Sequence, residues 1–217
     1  MDSLLRYCLP SATVLDLGAG AGAMSLRMAD AGYQVTPLDV DEGKWALEAP
    51  QLHKLDLNVG VVESVGRAFD AVVCLEVVEH IENPWQLFRE IRSLLVPGGY
   101  AFVSTPNITS FYSRLYFLRT GRYHHFEPGA ESYGHVGPIT HWQVRMAAEA
   151  AGLEVVNLEP VGVLPMFDFS GKQLRRLIGG LLNPVVYALA NGQKHGNLLL
   201  FVLRRPLVAP PIPPETE

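Results

Sequence analysis

The chain has 217 residues, 48% of them hydrophobic and 18% charged, with a net charge of -5. That composition suits one large domain with a substantial core, and the lack of any Lys/Arg-rich run argues against broad nucleic-acid binding through phosphate neutralisation. No apolar run reaches the roughly 18 residues of a membrane span, no signal-peptide pattern opens the chain, and Cys8 and Cys74 form no metal or redox motif; the expectation is a reduced, cytoplasmic setting.

The pattern alternates between strand and helix from residue 13 to about 105. Residues 13–17, Thr-Val-Leu-Asp-Leu, read as a buried strand that breaks into Gly18, Gly20 and Gly22. Glycine there permits positive φ and close approach of the backbone to a ligand. A helix over 21–31 follows at once, and a strand, glycine turn and helix N-terminus together cradle a nucleotide-like cofactor. Further strands are predicted at 34–39, 52–57, 69–75 and 99–105, and helices at 42–48 and 84–95. Asn83 caps the last of these, Pro84 suits its first turn, and Pro97-Gly98-Gly99 is expected to stop it.

Residues 106–139, rich in Tyr, Phe, His, Gly and Pro, read as a cap or substrate loop. A helix over 141–151 and strands near 153–161 and 197–204 complete the pattern. The 162–196 stretch between the last two strands is longer than a hairpin needs. A single domain is expected over 1–205, with an unstructured proline-rich tail over 206–217. The alternation predicts an α/β fold, a doubly wound parallel sheet with helices on both faces.

Acidic residues recur at the carboxyl ends of the predicted strands, the edge where such sheets bind ligands. Asp16 lies two positions before Gly18; its carboxylate would repel a pyrophosphate and welcome an ammonium group. Asp39 lies 21 residues after Gly18 (39 − 18), where a carboxylate accepts both ribose hydroxyls. Asp56 is placed to accept from an adenine amino group, with the Leu57 amide beside the ring. Gly22 and Asp70 read as structural. The glycine pattern alone also fits an NAD(P)-dependent oxidoreductase, and a cofactor-binding domain without catalysis is a third reading.

Five segments in order, Val-Leu-Asp-Leu-Gly-Ala-Gly-Ala-Gly, Pro-Leu-Asp-Val, Lys-Leu-Asp-Leu-Asn, Phe-Asp-Ala-Val-Val-Cys-Leu-Glu-Val-Val-Glu-His and Leu-Leu-Val-Pro-Gly-Gly-Tyr, resemble the class I S-adenosylmethionine-dependent methyltransferases. The resemblance is nearest to the branch of ubiquinone-biosynthesis O-methyltransferases. It implies a Rossmann-like, seven-stranded, mostly parallel sheet with an antiparallel last strand. S-adenosylmethionine would be the cofactor and S-adenosylhomocysteine its product. Asp16, Gly18 and Gly20 would border the methionine portion, Asp39 the ribose, and Asp56 and Leu57 the adenine. Cys74 and Glu76 would line the path to the sulfonium, with Cys74 a small buried residue rather than a nucleophile.

The expected reaction is in-line methyl transfer to a small molecule, at oxygen. Holding nucleophile and methyl in line lowers much of the barrier, and His80, after the fourth strand, is the base candidate. Glu76, Glu79 and His80 form Glu-x-x-Glu-His. With His135 as a fourth ligand, or His124, His125 or His141 instead, this set would suit a divalent cation. The motif resembles the metal site of small-RNA 2′-O-methyltransferases, which leaves an RNA acceptor as a remote variant. Phe111, Tyr112, Tyr116, Phe117, Tyr123 and Phe126 would shape an acceptor pocket or a small core under the loop. The apolar segment 170–190 has three competing readings: active-site cover, homodimer contact and membrane-surface contact.

Overall fold

In the computed structural model, which describes residues 1–162 and 195–207, seven strands form one sheet in the order β3-β2-β1-β4-β5-β7-β6. The strands are β1 (Thr13–Leu17), β2 (Gln34–Asp39), β3 (His53–Lys54), β4 (Phe69–Leu75), β5 (Leu95–Pro106), β6 (Glu154–Val161) and β7 (Leu198–Arg204). The helices are α1 (Asp2–Tyr7), α2 (Ala23–Asp30), α3 (Val62–Val65), α4 (Pro84–Leu94), α5 (Phe111–Thr120) and α6 (His141–Ala150). Strands β1 to β5 pair in parallel. Strand β7 alone runs the other way, inserted antiparallel between β5 and β6. This is the Rossmann-like arrangement that the family resemblance implied, antiparallel strand included.

Two cores form because side chains along a strand alternate between faces. Leu15, Val72, Cys74, Ala101, Val103, Phe201 and Leu203 face one core, with Phe88 and Ile91 of α4 and Val144 and Ala147 of α6. Val14, Ala71, Val73, Phe102 and Val202 face the other, closed by Leu4 of α1 and Met28 of α2. Helix α4 begins where the sequence indicated: the Asn83 side chain accepts from the Gln86 amide. Asp70 is structural too, its carboxylate accepting from both the amide and the hydroxyl of Thr13 at 2.8 Å.

Four boundaries differ from the sequence expectation. The helix expected at 42–48 is only a 3₁₀ turn over Glu42–Lys44, since Gly43 is a poor helix former and Asp41 turns back to accept from its amide. Strand β3 keeps two residues of the expected six. Asp56 therefore lies beyond the strand, in a turn where its Oδ1 accepts from the Asn58 amide at 2.9 Å. Pro97-Gly98-Gly99 does not end α4, which stops at Leu94; these residues lie within β5, beside the register shift against β4. Finally, the 106–139 loop contains α5, capped by the Ser110 side chain on the Ser113 amide and closed by left-handed Gly121.

Segment 170–190, and with it the cover, dimer and membrane readings, lies outside the described residues, as does most of the tail. Among the described residues, no helix is long and apolar enough to cross a membrane.

Candidate active site

Strand order reverses between β1 and β4, which opens a crevice at their carboxyl ends. The turn after β1 is pinned to its neighbour: the amides of Gly18 and Ala19 both donate to the Leu38 carbonyl at 2.9 Å. The Gly20 amide donates to Asp39 Oδ2 at 2.8 Å. Gly18 has φ +71°, and a Cβ there would collide with the Val77 side chain. Gly18→Ala is therefore expected to cost about 2–4 kcal/mol, from left-handed strain plus overpacking, read as a lowered urea midpoint at unchanged m-value. A Cβ on Gly20 would meet nothing within 4 Å: that glycine faces open space.

The open space is a cleft of about 360 Å³ lined by Gly18, Gly20, Asp39, Asp56, Leu57, Glu76 and His80, among others. The structure thus brings together seven of the nine site residues expected from sequence. Its wall carries the carboxylates of Asp39, Asp41, Asp56 and Glu76 against the single amine of Lys44, which itself pairs with Asp41 at 3.2 Å. Such a wall suits a cationic nucleoside and opposes a pyrophosphate, so the residues fit S-adenosylmethionine. Glu76 has φ +56°, a sparsely populated conformation for a non-glycine residue. Ser104 holds it there, its hydroxyl donating to Glu76 Oε1 at 2.7 Å. Burial raises the Glu76 pKa, opposed by Ser104, His125 and His135.

The other two residues sit elsewhere. Cys74 is fully buried in the core; burial, then Glu79 and Asp16, push its thiol pKa far up, so it is an apolar filler without a cleft surface. Asp16 lies buried beneath the turn and accepts from Ser25 Oγ at 2.6 Å. Burial drives its pKa up to about 6, with Asp39 adding to the rise and the Ser25 hydrogen bond opposing it. A raised folded pKa on a carboxyl means that ionisation costs stability: the contribution is present at low pH and lost as pH rises through about 6. Asp16→Asn should accordingly stabilise the ligand-free protein by about 1–2 kcal/mol at pH 8. A cationic cofactor prefers the ionised form, so wild-type affinity should fall as pH drops below 6, about tenfold by pH 5. Calorimetric titration with S-adenosylmethionine across this range checks it, and the Asn variant should lose that limb.

Beside the cleft, Glu79, His80 and His135 each offer a ligand atom, all within 4.8 Å of one another. The 3₁₀ turn Val78–His80 carries the first two. The loop bearing His135 is tied to that turn, the amides of Val136 and Gly137 donating to the Glu79 carbonyl at 3.0 and 2.9 Å. His135 Nδ1 sits 2.8 Å from the His125 carbonyl, a bond that requires the proton on Nδ1. His80 is similarly hydrogen-bonded to the Gly134 backbone. Fixing one ring nitrogen this way orients the other toward a metal or a proton. Glu79 is fully buried, with Oε2 accepting from Thr105 at 3.3 Å and Oε1 without a partner. Burial first, then Glu76, raise its pKa to about 8. Burial and His135 lower that of His80, so the imidazole is neutral at neutral pH.

The alternative histidines are otherwise engaged. His124 packs its ring against Tyr112 at 4.8 Å, and His141 bonds Thr109 at 3.2 Å. Of the aromatic residues in the loop, Phe126 reaches His135 at 5.3 Å, while Phe117 stacks on Tyr123 at 4.9 Å. Sequence reasoning missed Ser25, Ser104 and Asn197, whose Oδ1 lies 3.0 Å from Nε2 of His125, one of the alternative ligands. Only Ser104 left a trace, as the polar residue opposite the last position of β4.

The profile of a family described as methyltransferase domain matches residues 1–158. A ubiquinone biosynthesis O-methyltransferase of Xanthomonas campestris pv. campestris (strain B100) is 41% identical over 114 residues, 48% of this chain and 47% of that protein. One of the same name from Pseudomonas paraeruginosa is 38% identical over 112 residues, 47% of each. The matched stretch thus spans about half the length of these curated relatives. Among solved structures, a SAM-dependent methyltransferase from Archaeoglobus fulgidus superposes with a TM-score of 0.69 at 17% identity, over 94% of this chain and 90% of that one. One from Mesorhizobium loti does so with a TM-score of 0.58 at 16% identity, over 94% and 96%. With most of its length matched by that profile, and with the sheet and glycine turn described above, the chain belongs to the family of S-adenosylmethionine-dependent methyltransferase domains.

Proposed function

We propose that this protein methylates an oxygen of a small-molecule acceptor, with His80 receiving the acceptor proton. One observation carries the reading: the carboxylates suited to an adenosyl cation and a neutral imidazole share one cleft. S-adenosylmethionine, when bound, supplies the electrophilic methyl. Asp39 would take the ribose hydroxyls, Asp56 and the Leu57 amide the adenine, and Gly20 would let the backbone approach. His80 sits on the same wall, where it would draw the proton from the attacking oxygen as its charge develops. The names of the relatives in the X. campestris and P. paraeruginosa comparisons, ubiquinone biosynthesis O-methyltransferase, support transfer to an oxygen.

The test is calorimetry with S-adenosylhomocysteine and with NADH, then turnover against a panel of phenols, catechols, amines and carboxylic acids, read by mass spectrometry. Binding of the first ligand and an O-methylated product is the expected result. Binding of NADH alone would replace the reading with an oxidoreductase, and binding without turnover on any acceptor would leave a cofactor-binding domain.

A second reading concerns a divalent cation. The unpartnered, buried Glu79 Oε1 next to two oriented imidazoles fits a hard or borderline ion. Glu79, His80 and His135 would hold it, and its chemistry there would be to lower the pKa of an acceptor hydroxyl. Metal analysis of the purified protein decides: near-stoichiometric ion removed by chelation supports it, and metal-free protein with full turnover removes it.

A further inference from the structure

The loop after β3 is tied down at two points. At its far end the amide of buried Val61 donates to Glu90 Oε2 of α4 at 2.8 Å. At its near end Asp56 and Asn58 bond each other: Asp56 Oδ1 accepts from both the amide and the side-chain Nδ2 of Asn58, at 2.9 and 3.2 Å. Both bonds fall on Oδ1, leaving Oδ2 to a ligand. The other end of the Asn58 side chain, Oδ1, accepts from the Glu82 amide at 3.0 Å, across 24 residues of chain. Glu82 follows His80 and Ile81, which line the cleft as Asp56 and Asn58 do. One side-chain amide thus joins two walls of the cleft. Its orientation is fixed by its partners, an N–H at one end and a carboxylate at the other.

We propose that Asn58 is a positioning residue for the purine, a role that rests on adenine lying against Asp56 as proposed above. By holding Asp56 Oδ1 it presents Oδ2 to the exocyclic amino group, and so selects a 6-amino over a 6-oxo purine. Asp56 and Asn58 are both exposed. An exposed aspartate samples several rotamers, and fixing one of them on binding costs affinity. Two bonds from one neighbour, itself anchored on Glu82, remove that freedom in advance. Selectivity follows from the same restraint. A mobile carboxylate swings away from the facing oxygen of a 6-oxo purine, whereas a fixed one meets it, and the mismatch is penalised. Aspartate at position 58 could not do this work. It would keep an acceptor for the Glu82 amide but set a second carboxylate against Asp56 Oδ1.

The test is calorimetry of the full chain with S-adenosylhomocysteine and with S-inosylhomocysteine. The wild type should prefer the adenosine compound by about a hundredfold. Asn58→Ala and the isosteric Asn58→Asp should each lower that preference to about tenfold or less, with little change in melting temperature, as suits an exposed site. Asp56→Ala should abolish the preference, and adding Asn58→Ala to it should change nothing more, because Asn58 acts through Asp56. Glu90→Ala removes the loop's other anchor; it should lower the melting temperature and keep the preference. Full preference in Asp56→Ala would overturn the placement of adenine, and the role of Asn58 with it. Preference lost in Asp56→Ala but kept in Asn58→Ala would overturn the role of Asn58 alone. So would an equal loss in Glu90→Ala, which would make loop order the cause.

Discussion

Asp39→Ala is expected to lower the affinity for S-adenosylhomocysteine by at least a hundredfold. The carboxylate already does two things in the free protein: Oδ2 receives the Gly20 amide and Oδ1 the Asp41 amide, at 2.8 and 2.9 Å. The residue lines the cleft, where two ribose hydroxyls would donate to its remaining lone pairs. Hydrogen bonds to an ionised acceptor contribute about 1.5–3 kcal/mol each, so losing two corresponds to two or more powers of ten in Kd. Asp39→Asn keeps one acceptor oxygen and should lose only about tenfold. Because the same side chain holds the glycine turn, the Ala variant should also lose about 1 kcal/mol of stability. Urea unfolding beside calorimetry separates the two effects. An affinity within threefold of wild type would mean that the ribose binds elsewhere.

His80→Ala should leave S-adenosylhomocysteine affinity within a few-fold of wild type and lower turnover by about 10²–10⁴. The imidazole must be neutral to act. Its pKa is held below the usual value by burial and by His135, so wild-type kcat should climb with pH below neutrality and be flat above it. The variant should lose that acid limb. His135→Ala distinguishes base from metal ligand. If His80 acts as a base, the loss of His135 removes a neighbouring ring and costs little turnover. If the pair shares a cation with Glu79, His135→Ala should match His80→Ala, and a chelator should bring the wild type to the same level. Retained activity in His80→Ala, with or without chelator, would remove both roles.

The legible parts of the sequence were those written in a short period. The run Val14-Leu15-Asp16-Leu17 ending in glycine, and Ala71-Val72-Val73-Cys74 in β4, are strands buried on both faces. Asn83-Pro84 announced α4 by capping chemistry alone. Helix α5 was equally punctuated, with Ser110 before it and Gly121 after it. It escaped notice because aromatic side chains on nearly every face blur the 3.6-residue period. Asp56 was placed at a strand end, whereas an Asx turn carries it; the edge strand is too short to have a periodicity.

Sequence alone determined which chemical groups could meet. Carboxylates that follow strands of a parallel sheet share one edge by topology, and so Asp39, Asp56, Glu76 and His80 were foreseeable as neighbours of the glycine turn. Only the tertiary structure decided which of these groups face solvent and in what protonation state. Asp16 and Cys74 stand near the same edge, at the ends of β1 and β4, yet one lies sealed under the turn with its pKa raised to about 6 and the other in the core. Sequence named His135 as one of four candidate partners for Glu79 and His80; the fold, across 55 residues (135 − 80) of chain, brings His135 rather than the other three to that pair. Burial and long-range contact are properties of packing, and packing sets the dielectric in which each group titrates.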